Sequence, residues 1–449
     1  MKPQSSSRAR VSPARIAAFD ILIRVTRENA YASELLHSAR YSSLSPADRR
    51  LATEIVMGVL RWRSSLDDKI SACSAQPLGK LDPEVLESLR IAAYQLLYLD
   101  RIPASAAINE SVELVKRARK KSAAPFVNAV LREVSKRDFQ SEEALGNESA
   151  SLAQQFAHPA WLVARWIAQF GIEASASICS YNQQPPPTAI RLIASAAEQE
   201  LRDAGVGISP GALLSYARLV KAGDITGSAA FKQHRVAIQD EGSQLVAALV
   251  GQGSRILDCC CAPGGKTSIL AERNPGSLIV AVELHAHRAR LTRELVSQKN
   301  VRIITADARN LPIAMQFDRV LVDVPCSGTG TLARHPEIKW RLEAEDLADL
   351  RRRQLAILRS AMEHLAPGGR LVYSSCSLER EENSNVVEQA LVNSGDFILM
   401  DIRQELRDLR VRGDLILPDV SSLADGPYLR TIPGIHSCDG FFAAILVRG

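Results

Sequence analysis

From residue 236 onward, short apolar runs alternate with helical stretches, and this alternation constrains the fold more than any other feature of the chain. The runs fall at 255–259, 278–283, 301–305, 317–324, 370–375 and 441–447, with helical patterns at 266–272, 285–298 and 345–365 between them. Alternating β and α segments form βαβ units, and such units assemble into a parallel sheet covered by helices on both faces. A doubly wound α/β domain is therefore predicted for residues 236–449. In such a sheet, ligands bind beyond the carboxyl ends of the strands.

The chain before residue 140 has a different rhythm. Ser12-Pro13 offers a cap and a first-turn proline, followed at helical spacing by Ile16, Phe19, Leu22 and Ile23. Ser45-Pro46-Ala47-Asp48 opens a second run through Leu51, Ile55, Val59, Leu60 and Trp62. Further helices are predicted at 86–99, 106–119 and 124–136, which makes residues 1–145 an all-helical domain. Residues 141–153 are polar and acidic and have the composition of a linker. Residues 146–235 form a small mixed α/β connecting region. In it, His158-Pro159-Ala160-Trp161 enters a helix to Phe170, and Pro185-Pro186-Pro187 precedes an extended segment at 188–193.

Charge separates these parts. The 449 residues carry a net charge of +5. Residues 1–140 hold 23 Lys and Arg against 15 Asp and Glu, a net of +8, which leaves −3 for the rest. A basic helical domain ahead of an enzyme-like domain points to nucleic-acid contact. Lys116, Arg117, Arg119, Lys120 and Lys121 are its densest run, and Lys2, Arg8, Arg10 and Arg15 make a basic N-terminal tail. No stretch approaches the ~18 apolar residues of a membrane span. The start of the chain lacks the apolar core of a secretory signal. Eight cysteines without a CxxC pair exclude a disulfide framework and give no zinc module, so no metal is expected, and the expected compartment is the reducing cytoplasm.

The chemistry concentrates at predicted strand ends. The first βα turn reads Leu257-Asp258-Cys259-Cys260-Cys261-Ala262-Pro263-Gly264-Gly265-Lys266-Thr267. A P-loop needs glycine six residues before the lysine, where this chain has Cys260, and the turn is not GxGxxG either. Glu283 ends the second strand, where a carboxylate can accept from ribose hydroxyls, and Asp307 follows the third strand, placed for an adenine edge. Together these features fit S-adenosylmethionine. The fourth strand ends Asp323-Val324-Pro325-Cys326-Ser327-Gly328, and the fifth ends Tyr373-Ser374-Ser375-Cys376. Methylases of exocyclic amines place an aromatic where this chain has Cys326. Two thiols and an aspartate at one ligand mouth point instead to covalent catalysis. Carbon 5 of a pyrimidine is a poor nucleophile until a thiolate adds at carbon 6, and Asp323 can hydrogen-bond the ring edge and stabilise that adduct. Cys259 and the Cys261 side chain are expected to be packing. Cys73 and Cys179 have no charged sequence neighbours, and Cys438 sits beside Asp439.

The turn, the PCSGTG segment with Arg334-His335-Pro336-Glu337-Ile338-Lys339-Trp340, and YSSCSLEREEN resemble the RNA cytosine-5 methyltransferase family. The stretches DRRLATEIVMGVLRW, IAAYQLLYLDRIPASAAINESVELVKR and FVNAVLREV resemble the NusB-like antitermination fold. The fusion of the two resembles the bacterial small-subunit ribosomal RNA methyltransferases of the B type, over nearly the whole chain. The resemblance implies a NusB-like domain followed by a Rossmann-like methyltransferase domain. It also implies transfer of a methyl group to a cytosine of 16S ribosomal RNA by a monomeric chain with no membrane partner. By motif, Cys376 is implied as the nucleophile and Cys326 as the thiol assisting release. Residues Cys260, Cys261, Ala262, Pro263, Gly264, Gly265 and Lys266 are implied as the cofactor loop, with Glu283, Asp307 and Asp323 as its acidic contacts. The chain departs from the family in having Cys261 for a common alanine, Ser375 for threonine and Glu283 for aspartate. Two competing readings are an RNA-binding factor without catalysis and a DNA cytosine methylase, whose thiol would be expected at Cys326.

Overall fold

The computed structural model describes residues 11–139, 148–392 and 394–449. Lys2, Arg8 and Arg10 of the expected tail and 141–147 of the expected linker lie outside the described residues, whereas Arg15, the fourth residue expected in the tail, is buried in the helix Pro13–Glu28 and paired with Glu110 at 2.9 Å. The chain divides into two compact units: Met1–Pro185 with Leu332–Arg341, and Pro186–Thr331 with Leu342–Gly449. Among the described residues no helix is long and apolar enough to cross a membrane.

The first unit is all helical. Its main helices are Pro13–Glu28, Pro46–Arg61, Pro83–Tyr98, Ala104–Arg117 and Ala124–Val134. Three begin with proline, whose missing N–H costs nothing at a first turn. Ser45 caps its helix as expected by accepting from the Asp48 amide. Ser12 does not cap through its side chain; its hydroxyl accepts instead from Arg15, and its amide donates to Glu110. The apolar stripes of these helices meet around Ile21, Leu22, Ile55, Leu89, Ile91 and Leu131, all buried. Gly58 lets Tyr94 lie flat against its helix, since a Cβ there would fall 1.9 Å from the tyrosine ring.

Three more helices, Glu148–Gln155, Ala160–Phe170 and Ile172–Asn182, belong to the same unit, so the second half of the expected linker is helical. Leu152 and Ala153 give that half an apolar face to bury, which its polar composition obscures. The segment Leu332–Arg341 also folds here. Lys339 is 1 % exposed and donates to the carbonyls of Arg61 (2.9 Å) and Ala157 (2.8 Å). Trp340 donates to Leu60, Arg341 to Val25 and Ala30, and Glu337 accepts from the Ala32 amide.

The second unit contains two sheets. In the smaller one, β1 (Thr188–Leu192), β2 (Gly207–Pro210), β3 (Ala217–Ala222) and β4 (Val236–Ile238) pair antiparallel in the order β2-β3-β1-β4. The larger sheet is the doubly wound one. Its strands are β5 (Arg255–Asp258), β6 (Leu278–Glu283), β7 (Val301–Thr305), β8 (Phe317–Asp323), β9 (Leu365–Ser375), β10 (Phe397–Met400), β11 (Ala424–Asp425), β12 (Tyr428–Thr431) and β13 (Phe441–Arg448). The order is β11-β12-β13-β9-β8-β5-β6-β7, with β10 also on β13. β5 to β9 run parallel, and β13 enters antiparallel against β9. From β5 the chain winds one way to β7 and then returns to β8 on the other side. The crevice between β5 and β8 is the switch point where such sheets bind ligands.

Several elements differ from expectation. The helix expected at 285–298 spans only Ala286–Leu295, because Val296 turns extended and packs beside Gly264. β9 starts five residues earlier than predicted, since Pro367, Gly368 and Gly369 read as a turn yet stay in the strand. β10 and β12 are short strands at the antiparallel end, with too few residues to show a period.

Candidate active site

The turn leaving β5 sets the floor of the site. Asp258 is buried at the strand end, accepts from the Thr267 hydroxyl at 2.7 Å, and is pushed up to about 6 by burial. Gly264 has a φ of +111°, and a Cβ there would stand 2.6 Å from Val296, so only glycine turns the chain this way. The Cys261 amide donates to Val282 and ties the turn to β6, while its thiol faces Thr292.

Beyond these strand ends lies a cavity of about 580 Å³ whose walls include Cys259, Cys260, Ala262, Glu283, Asp307 and Asp323. Glu283 is 5 % exposed; it accepts from the His285 amide at 2.9 Å, and Arg288 lies 3.8 Å away. Asp307 is held below the usual carboxylate range by hydrogen bonds from the Arg309 side chain, with its amide adding to the effect. Asp323 ends β8 with both oxygens engaged: Lys266 Nζ lies 2.7 Å from Oδ2, and Ser374 Oγ 2.7 Å from Oδ1. Burial alone would lower Lys266, but Asp323 outweighs it and holds the ammonium above its ordinary value. Val324, Pro325 and Ile357 give the cavity an apolar side.

The thiols stand beside Asp323. β8 and β9 are parallel neighbours with Asp323 opposite Ser374, so the loops after them rise side by side. Cys326 Sγ and Cys376 Sγ are 3.2 Å apart, and both residues are half-buried. The hydrogen bond to Cys376, with burial, lifts the Cys326 thiol well above its ordinary value. The Gly330 amide donates to the Cys376 carbonyl at 2.9 Å, and the Leu378 amide donates to Thr329 Oγ1 at 2.9 Å.

The expected residues thus fall into groups. Cys260, Ala262, Glu283, Asp307 and Asp323 share the cavity wall, and Lys266 reaches it through Asp323. Pro263, Gly264 and Gly265 shape the turn, and Cys261 is packed behind it. Cys259, expected as packing, is on the wall as well. Cys73 and Cys179 do have charged neighbours in space, Arg137 and Glu133 for the first and Lys339 for the second, which sequence adjacency could not show. His335 hydrogen-bonds Ser33 in the first unit and is pushed down to about 4, chiefly by burial. Sequence reasoning missed Ser374, which strand pairing with β8 would have revealed, and Glu382, whose carboxyl group lies fully buried behind both thiols.

Comparison with known proteins gives three family matches. Residues 247–447 match "16S rRNA methyltransferase RsmB/F", 12–136 match the NusB family, and 158–225 match the ferredoxin-like domain of the RsmF/B-like methyltransferases. The chain is 36% identical over 445 residues to "Probable ribosomal RNA small subunit methyltransferase B" of Bacillus subtilis (strain 168), covering 95% of this chain and 97% of that protein. It is 33% identical over 408 residues to "Ribosomal RNA small subunit methyltransferase B" of Pseudomonas putida, covering 87% and 92%. Among solved structures, that of PH0851 superimposes with a TM-score of 0.80 at 23% identity, over 98% of this chain and 100% of that one, which shows a shared fold. With similarity to these relatives running nearly end to end, the chain belongs to the RsmB/F family of 16S rRNA methyltransferases.

Proposed function

We propose that this chain transfers a methyl group from S-adenosylmethionine to carbon 5 of a cytosine in 16S ribosomal RNA, through a covalent adduct between Cys376 and carbon 6. The observation that carries this reading is the pair of thiols 3.2 Å apart beside an aspartate at the switch point of the sheet. The relatives' names give ribosomal RNA of the small subunit as the substrate class.

The cavity suits the cofactor. Glu283 offers a carboxylate to the ribose hydroxyls and Asp307 an acceptor to the adenine amine, while Ile357 and Pro325 offer apolar surface to the ring. When bound, S-adenosylmethionine supplies an electrophilic methyl group on a sulfonium.

The chain's own residues do the rest. Cys376, as thiolate, adds to carbon 6 and turns the ring into an enamine whose carbon 5 is nucleophilic. Asp323, fixed by Lys266 and Ser374, faces the polar edge of the base and holds the adduct in place. Once carbon 5 carries the methyl group, its proton is lost to a base, and the electron pair of that C–H bond re-forms the C5–C6 double bond as the Cys376 sulfur leaves carbon 6. Cys326, its sulfur 3.2 Å from that of Cys376, is placed to hydrogen-bond the departing sulfur. The base must be presented unstacked, and the basic helical unit supplies the surface that holds the surrounding RNA.

The test is to incubate the protein with 16S rRNA and methyl-labelled cofactor, then digest to nucleosides. Label in 5-methylcytidine supports the reading. Label in another nucleoside, or RNA binding without transfer, contradicts it.

A further inference from the structure

The two cysteine loops are 50 residues apart in sequence, and one side chain joins them. Glu382 is 0 % exposed. Its Oε1 accepts from the Ser327 amide and from Gln354 Nε2, both at 2.8 Å. Its Oε2 accepts from the hydroxyls of Ser327 and Ser377, both at 2.5 Å. Ser327 directly follows Cys326, and Ser377 directly follows Cys376, so one carboxyl group bonds the residue next to each thiol. Gln354 extends the grip by donating to the Pro325 carbonyl at 3.0 Å, just ahead of Cys326. The Glu382 backbone is fixed too, because the Tyr373 hydroxyl donates to its carbonyl at 2.5 Å. Next to it, Asn383 accepts from Ser375 and donates to the Ser377 carbonyl, holding the chain on both sides of Cys376.

A packing role alone is a poor account of this arrangement. Burying a carboxyl group is expensive, and an apolar side chain of similar volume would fill the space at lower cost. Four donors converging on one acceptor pair instead fix a distance. The quantity fixed is the separation of the two sulfurs, on which both attack at carbon 6 and departure from it depend. We propose that Glu382 is the positioning residue that holds Cys326 and Cys376 in register for the two halves of the reaction. This rests on the two-thiol mechanism proposed above.

The substitution Glu382→Gln preserves size but sets an amide nitrogen where Oε2 stands, so the Ser327 and Ser377 hydroxyls must turn from donors into acceptors and the two shortest bonds of the cluster give way to longer N–H···O bonds. Displacing the reacting groups by about 1 Å typically costs about 100-fold in rate. Glu382→Gln is therefore expected to lower kcat about 100-fold, while KM for rRNA and for cofactor stay within about twofold. Neither KM depends on the sulfur–sulfur distance. Ser377→Ala, which removes one donor and leaves three, is expected to fall between wild type and Glu382→Gln, and it carries the test if the glutamine variant does not fold. Full kcat in both variants overturns the assignment. A rise in cofactor KM that accompanies the loss of kcat also overturns it, because that is the mark of a generally loosened site. If the wild type labels a nucleoside other than 5-methylcytidine, the two-thiol mechanism falls and this role falls with it. If the wild type makes 5-methylcytidine and Glu382→Gln does so equally fast, only the role of Glu382 falls.

Discussion

Cys326 and Cys376 lie with their sulfurs 3.2 Å apart, each one loop beyond the end of a parallel strand. Neighbouring thiols with different surroundings can divide two tasks. Cys376→Ala is expected to abolish any covalent complex with RNA. Cys326→Ala is expected to form the complex and release it slowly, so that protein accumulates on RNA as a band resistant to denaturant. Turnover should fall at least about 100-fold in both variants. Denaturing gels of each variant with rRNA and cofactor check this, and equal loss of the complex in both contradicts the division of roles.

Much of this site was legible in the sequence because strand ends are legible. Alternation located β5, β6, β8 and β9, and the rules of doubly wound sheets place whatever follows them at one mouth. Cys326, Cys376, Asp323 and Glu283 needed nothing more. Glu382 and Ser374 act through pairings made only by the fold: a short helical turn that folds back under the cysteines, and the register of β8 on β9. The membership of Leu332–Arg341 in the first unit was hidden for a similar reason. Its burial depends on Lys339 meeting carbonyls of residues about 280 and 180 positions away, and a lysine in sequence reads as surface.

The loops carrying the thiols approach each other through glycine. A Cβ on Gly330 would fall 2.2 Å from the Gly440 carbonyl oxygen and 2.8 Å from that of Cys376, and both neighbours are backbone. Gly330→Ala must push these loops apart. It is expected to cost about 1–3 kcal/mol of stability and about 100-fold in kcat. Thermal melts and steady-state kinetics on the same preparation measure both effects.

Asp258 gives a signed pH effect. Its carboxyl group is pushed by burial from 3.8 to about 6 in the folded chain. Between those values the folded state binds more protons than the unfolded, so this group's contribution to stability falls as pH rises through the window. Relative to Asp258→Asn, the wild type should therefore lose about 1 kcal/mol of stability between pH 5 and pH 7.5. Melting both proteins at the two pH values isolates the group, because other titrations cancel in the difference. A constant difference contradicts the assignment.

In the first unit, Gly58→Ala sets a new methyl group against the Tyr94 ring, whose hydroxyl donates to Glu54 at 2.6 Å. The ring has to leave both its place and its hydrogen bond. The expected cost is about 1–3 kcal/mol, read as faster amide exchange in the helices Pro46–Arg61 and Pro83–Tyr98.

The central claim is that Cys376 bonds to carbon 6 of a cytosine whose carbon 5 is then methylated. It is tested most directly with 16S rRNA containing 5-fluorocytidine, because fluorine at carbon 5 does not leave as the proton does and the adduct persists. Digestion of the trapped complex and mass spectrometry of the cross-linked peptide should place the nucleotide on Cys376. Attachment at Cys326, or no attachment during active methyl transfer to normal rRNA, would contradict the mechanism.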